Sequence, residues 1–237
     1  MNAHILSVRN LAKAYGGNQV VGGVDLAVGA GEIVALVGPN GAGKTTTLNL
    51  LSGQVPLDTG SIHLGGVDVS RLGPARAERH ALFRSFQNGG TFAKLSALQN
   101  VAISGVVRGL SLFHAQQAAA QALERVGMTA VSDWPANKLS GGQRKLIDFA
   151  RLLVAKPRVA LLDEPTAGVS PLIIEVMSDL IQSMRATRTA FVVISHDLPW
   201  VFGLCDRVVV LAAGKVLCAG SPEEVRANAQ VQEAYLA

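Results

Sequence analysis

The sequence predicts an α/β fold, a mainly parallel sheet covered by helices on both faces with a helical segment inserted midway. Three observations carry this. Short apolar runs (EIVALV, RVALLDEP, TAFVVISHD and DRVVVLAAG) alternate with helical stretches, the order that places parallel strands beside crossover helices. Between about 95 and 155 the apolar pattern changes to a helical period, through LQNVAISGVV, HAQQAAAQALERVGM and GGQRKLIDFARLLVA. The first apolar run ends in a glycine-rich turn, GPNGAGKT, and the residues from Lys44 to Ser52 continue as a helix.

Taken along the chain, HILSVRNL and VVGGVDLAV read as strands, the second with rough alternation. EIVALV (32–37) is bounded by glycines and wholly apolar, as a strand buried on both faces should be. SIHLGGVDV reads as a hairpin around Gly65 and Gly66. AQQAAAQA (115–122) is low in complexity but is good helix-forming composition. A further helix is expected from Pro171 to about Arg185. The segment RLGPARAERHALFR carries four arginines on an expected helix and reads as a solvated face.

Bulk properties exclude several classes. A chain of 237 residues suits one or two domains, and charged residues at 16% against 49% hydrophobic argue for a packed core over disorder. The net charge of +4 is modest and its signs are interleaved, which argues against a surface that wraps nucleic acid. No run approaches ~18 continuous apolar residues, so no bilayer-spanning segment is expected. The N-terminal residues lack the apolar core of a signal peptide. Cys205 and Cys218 form neither a disulfide nor a zinc pattern and suit a reducing compartment.

GPNGAGKT fits G-x-x-x-x-G-K-[ST] in its required setting, a strand before and a helix after. Gly38, Gly41 and Gly43 let the backbone curl so that successive N–H groups face phosphate oxygens. The helix N-terminus adds partial positive charge. Lys44 would reach the β- and γ-phosphates, and the Thr45 hydroxyl would ligate Mg²⁺. The pattern points to a nucleoside triphosphate site.

RVALLDEP delivers Asp163 and Glu164 to the end of a strand, where open α/β sheets bind ligands. Adjacent carboxylates taken alone would read as a solvated turn. After a buried strand in a chain with a phosphate loop, Asp163 suits a Mg²⁺ role and Glu164 that of a general base for attacking water. His196 in VVISHD follows another apolar strand. Gln87 in FRSFQN ends a further expected strand and could sense Mg²⁺ and the water. Finally, LSGGQ (139–143) offers a second anion seat: Ser140 is a good N-cap, and Gly141 and Gly142 leave the first-turn N–H groups open. Ser140 and Gln143 add hydrogen-bonding groups.

The order GPNGAGKT, Gln87, LSGGQ, LLDEP, His196 resembles the nucleotide-binding domain of an ATP-binding cassette (ABC) transporter over essentially the whole chain. The resemblance implies a phosphate-loop (RecA-like) core, residues 1–90 and 156–237, with an antiparallel β subdomain and an inserted α-helical signature subdomain, 91–155. It implies ATP held by Tyr15, stacking on adenine, and by Gly38, Pro39, Asn40, Gly41, Ala42, Gly43, Lys44, Thr45 and Thr46. Mg²⁺ would be met by Thr45, Gln87 and Asp163, with Glu164 and His196 catalytic. Two cassettes would pair head to tail, the LSGGQ of one closing on the ATP of the other. The partners implied are that second cassette, transmembrane permease subunits, and indirectly a substrate-binding protein. The implied location is peripheral, at the cytoplasmic face of the membrane.

Within the family, FRSFQN with FAKLSALQNVAISG, the turn DEPTAGVSP and the tail GSPEEVRANAQVQEAYLA resemble ATPases of branched-chain (hydrophobic) amino-acid importers and related amide or urea importers. A lipopolysaccharide-export ATPase has a similar AGV turn and tail. A soluble ATPase of iron–sulfur assembly also suits the length. Two departures from the importer pattern are ISHD in place of EHD and a shortened insert after the LQNV helix; Ser170 stands where many family members carry aspartate. From Asn88 to Asn100 the resemblance implies part of a groove for a permease helix.

Overall fold

The computed structural model describes residues 4–73, 81–85 and 90–236. These fall into two compact units, one drawn from Met1–Arg84, Arg158–Glu164 and Arg188–Ala237, the other from Ser85–Pro157 and Pro165–Thr187. The helix Pro171–Ala186 thus clusters with the helical unit, whereas the sequence reading places it with the core.

The first unit holds both sheets. Strands β1 (Leu6–Tyr15) and β2 (Asn18–Val28) pair antiparallel, and β4 (Thr59–Leu64) with β5 (Val67–Asp68) completes a four-stranded antiparallel sheet of order β2-β1-β4-β5. The β4–β5 hairpin turns at Gly65 and Gly66 as the sequence predicts, with Leu64 opposite Val67. Between these strands run β3 (Ile33–Val37), the phosphate loop and α1 (Lys44–Leu51).

The second sheet has six strands. Here β3 lies between β8 (Ala190–Ile194) and β9 (Arg207–Ala212); β7 (Val159–Asp163) and β6 (Leu82–Arg84) follow beyond β8. All these pairings are parallel; only β10 (Lys215–Gly220) joins β9 antiparallel at the opposite edge. Each of β3, β7 and β8 is buried at every residue, the consequence of apolar side chains on both faces. One core cluster joins Leu6, Leu11 and Ile62 of the antiparallel sheet to Leu48 and Leu51 of α1 and to Leu36, Leu161 and Val192. A second lies under Val208 and Val210, where Val201 of α6 (Leu198–Leu204) and Val225 of α7 (Pro222–Ala227) pack.

The helical unit contains α2 (Ala97–Val107), α3 (Leu112–Arg125), α4 (Gly141–Ala155) and α5 (Pro171–Ala186); α8 (Ala229–Leu236) belongs to the first unit. Serine caps set the starts of α2 and α4, each in a reciprocal box with a glutamine three residues on, Ser96 with Gln99 and Ser140 with Gln143. A buried polar network holds the segment before α2. Asn100 Nδ2 donates to the carbonyls of Phe92, Leu95 and Ser96, at 3.1, 3.1 and 3.0 Å. Its Oδ1 accepts from the Phe92 N–H at 2.8 Å and from Arg151 Nη2 at 2.9 Å. Arg151, on α4, also donates to the carbonyls of Asn100 and Gly90 and to Asp148.

Candidate active site

The phosphate loop leaves the carboxyl end of β3 and is braced from behind. Gly38 and Gly43 have φ of 149° and 95°, and a Cβ there would stand 2.1 Å from the Leu211 carbonyl oxygen and 2.5 Å from that of Val20. No other residue fits either place. The loop is pinned further where the Gly214 N–H donates to the Ala42 carbonyl. Ala42 is buried, Pro39 and Thr46 are half-buried, and Asn40, Gly41 and Thr45 are exposed. The side chain of Lys44 folds back across the loop, donating to the carbonyls of Gly38 at 2.6 Å and Pro39 at 2.9 Å. Burial pushes its ammonium pKa down, and the nearby Glu164 and Asp163 charges oppose that. A cation held by neutral carbonyls beside two carboxylates is a ready partner for a polyanion.

Strand β7 carries Asp163 to the same sheet edge, buried, with its Oδ2 accepting from Arg84 Nη2 at 3.2 Å. Glu164 follows in the left-handed region at φ 50°, a conformation that costs a non-glycine residue on the order of 1–3 kcal/mol. Its N–H donates to the Ile194 carbonyl at 2.9 Å, fixing it against the end of β8. His196 meets the carboxylate twice: Oε2 accepts from the His196 N–H at 3.2 Å, and His196 Nε2 lies 3.2 Å from Oε1. The imidazole is 58% exposed while Glu164 is 9% exposed, so the histidine stands between the carboxylate and solvent. Since β3, β8 and β7 are successive in the sheet, the loop, His196 and Asp163–Glu164 share one edge of one unit.

Tyr15 ends β1, 46% exposed as a residue, with the Lys13 ammonium 5.5 Å from its ring centroid. The LSGGQ residues lie in the other unit. Ser140 Oγ accepts from the Gln143 N–H at 3.2 Å, and Gln143 Oε1 accepts from the Ser140 N–H at 2.9 Å. Both acceptor oxygens are therefore turned to capping, which leaves the hydroxyl and amide N–H groups as the donors each side chain can offer an anion. A Cβ at Gly142 would stand 2.5 Å from Ile173 Cδ1, the movable end of that side chain, whereas Gly141 faces open space. Gln87 and Asn88 lie outside the described residues.

One expectation is corrected. Arg84 is neither helical nor solvated: it ends β6, and its side chain is 9% exposed in the ion pair with Asp163. Of the other three arginines of that segment, Arg71 is exposed, and Arg76 and Arg79 lie outside the described residues. No local signal reveals a pairing across 79 positions of sequence. The Asn100–Arg151 network was missed for the same reason, 51 positions separating the two.

Residues 21–167 match the model of the ABC transporter family, and residues 215–236 match that of the branched-chain amino acid ATP-binding cassette transporter. The chain is 34% identical over 233 residues to the lipopolysaccharide export system ATP-binding protein LptB of Haemophilus influenzae, covering 98% of this chain and 97% of the relative. It is equally 34% identical, over 252 aligned positions, to the high-affinity branched-chain amino acid transport ATP-binding protein BraF of Pseudomonas aeruginosa, covering 100% and 99%. Among solved structures, a nucleotide-free ATP-binding cassette from an ABC transporter superposes with a TM-score of 0.90 at 26% identity, covering 99% of this chain and 100% of that one. An ABC cassette in its ADP conformation gives 0.88 at 27% identity, covering 99% of each. The sequence motifs, the sheet order and the shared edge of loop and carboxylates thus have one reading: the chain belongs to the ABC transporter family and is an ATP-hydrolysing, ATP-binding subunit.

Proposed function

We propose that this subunit powers an importer of branched-chain or other hydrophobic amino acids, or of related amides. The observation that carries the reading is the match of residues 215–236, the C-terminal tail, to the branched-chain cassette model. The tail folds as β10, α7 and α8, with Ser221 capping α7 through a box with Glu224.

In this reading the triphosphate draws Lys44 off the loop carbonyls, and Gly38 through Thr46 line its oxygens, with Tyr15 stacking on the base. The residues fit Mg²⁺: an exposed hydroxyl at Thr45 and a buried carboxylate at Asp163 are the sparse oxygen ligands the ion takes beside phosphate and water. Gln87 would complete that set. When bound, Mg²⁺ would supply neutralisation of the phosphate charge. Glu164 takes a proton from the water that attacks the γ-phosphorus as its bond to the β–γ bridging oxygen breaks and ADP leaves, and His196 holds the Glu164 carboxylate in place. Ser140, Gly141, Gly142 and Gln143 present their donors to the nucleotide of a second cassette, so that turnover requires closure of the pair. Residues 91–155 act as the helical subdomain, and the stretch from Asn88 to Asn100 receives a permease helix. The subunit sits peripherally at the cytoplasmic face; among the described residues no helix is long and apolar enough to cross a membrane.

A second reading, lipopolysaccharide export, is supported by the LptB relatives, which reach 36% identity in Acidithiobacillus ferridurans. Affinity purification from the native membrane separates the two. Co-purification with two permease subunits and a periplasmic amino-acid-binding protein supports import; recovery with envelope-lipid export subunits overturns it.

A further inference from the structure

Arg84 belongs to none of the motifs above, yet it touches the centre of the site. Its Nη2 donates to Asp163 Oδ2 at 3.2 Å, with the two side chains 9% and 2% exposed. Its Nη1 donates to Ser52 Oγ at 3.3 Å, and Ser52 is the C-cap of α1. The guanidinium therefore lies at the negative end of the helix whose other end opens from the phosphate loop. One planar side chain ties the strand end that carries Asp163 to the helix that carries Thr45. Strand pairing sets the reach, since Arg84 of β6 stands opposite Leu161 of β7, two residues short of Asp163.

Two features argue that this is more than packing. The pair is buried on both sides, 9% and 2% exposed, and a buried ion pair is costly to break by removing one partner. The bond from Arg84 to Oδ2 also restricts rotation of the Asp163 carboxyl about its last torsion, which orients both oxygens together. Apolar contact for this strand comes from its neighbours: Leu82 is buried at 3% exposure.

We infer that Arg84 is a positioning residue for the metal-dependent part of nucleotide binding, acting through the orientation of the Asp163 carboxylate. The inference rests on the reading of Asp163 as a Mg²⁺-facing group. It leaves metal-free affinity to the phosphate loop and Tyr15, and makes the Arg84–Asp163 pair responsible for part of the gain that Mg²⁺ adds. Outer-shell partners of metal-facing carboxylates change metal affinity by about 10–100-fold when removed.

The test is equilibrium binding of ADP, which is not hydrolysed, with excess Mg²⁺ and with a chelator, for the wild type and for Arg84→Met, Arg84→Lys and Asp163→Asn. Arg84→Met should keep its metal-free affinity within about twofold and lose about tenfold of the Mg²⁺-dependent gain. Arg84→Lys, which keeps the charge but not the planar fork, should recover part of that gain and covers the case in which Arg84→Met does not fold. Equal loss in both conditions, or a full Mg²⁺ gain in both Arg84 variants, overturns the inference. If Asp163→Asn retains the whole Mg²⁺ gain, the reading of Asp163 itself fails, an outcome distinct from failure at Arg84 alone.

Discussion

Replacing Asn100 with alanine removes a fully buried side chain that makes five hydrogen bonds, and the structure indicates which losses matter. The three carbonyls it serves keep other donors: Phe92 O accepts from Leu95 N, Leu95 O from Ala136 N, and Ser96 O from the backbone N–H of residue 100 itself. The two donors do not fare as well. The Phe92 N–H loses its acceptor, and Arg151 Nη2 loses a charge-assisted bond. A stranded donor costs about 1–3 kcal/mol and a charged one lies at the upper end, which gives about 4 kcal/mol for Asn100→Ala. For a chain of this size that is roughly a 10 °C fall in Tm. Urea unfolding gives the free energy, and native-state hydrogen exchange reads the Phe92 amide directly, which should lose its protection. A loss under about 1 kcal/mol together with unchanged exchange at Phe92 would refute the assignment of this network as the clamp on the 90–96 segment.

Other consequences follow from buried titrating groups. Burial raises the Asp148 carboxyl to about 6 against the pull of Arg151. The folded state then binds this proton more tightly than the unfolded chain, so the stabilisation is complete below the unfolded pKa and is lost as pH rises through about 6. Two pKa units are worth about 3 kcal/mol, so between about pH 4 and pH 7 Asp148→Asn should gain that much relative to wild type in urea unfolding. A constant difference across this range would contradict it. Cys205, its thiol bonded to the Val201 carbonyl and pushed up to about 12 by burial, has about one part in ten thousand thiolate near pH 8. Alkylation of the native protein should therefore be slow at the half-buried Cys205 until denaturant is added; rapid native labelling there would contradict the raised thiol pKa.

What could be read from the sequence was whatever burial imprints locally. β3, β7 and β8 announce themselves because both faces are covered and nearly every residue is apolar. By contrast β10 is an antiparallel edge strand with no residue fully buried, while the strand expected through FRSFQN is found as the short β6, Leu82–Arg84. Lys44 was visible in the phosphate-loop pattern and Asp163, Glu164 and His196 as strand-end positions, and the sheet order places them on one edge. The grip of His196 on Glu164, the positive φ at Glu164, and the partners of Arg84 and Asn100 depend on contacts that no window of sequence contains. LSGGQ is intermediate. Its serine was legible as a cap, but the box with Gln143 shows that the same residues first serve the start of α4.

The most direct test of the central claim is single-turnover ATP hydrolysis by Glu164→Gln, measured beside MgATP affinity. Glutamine keeps the shape and an acceptor for the His196 N–H but cannot take a proton from water. The account predicts MgATP binding close to wild type and hydrolysis slower by about 10²–10⁴-fold, with the ATP-bound cassettes accumulating as a closed dimer. Hydrolysis at the wild-type rate would contradict it and move the base elsewhere in the site.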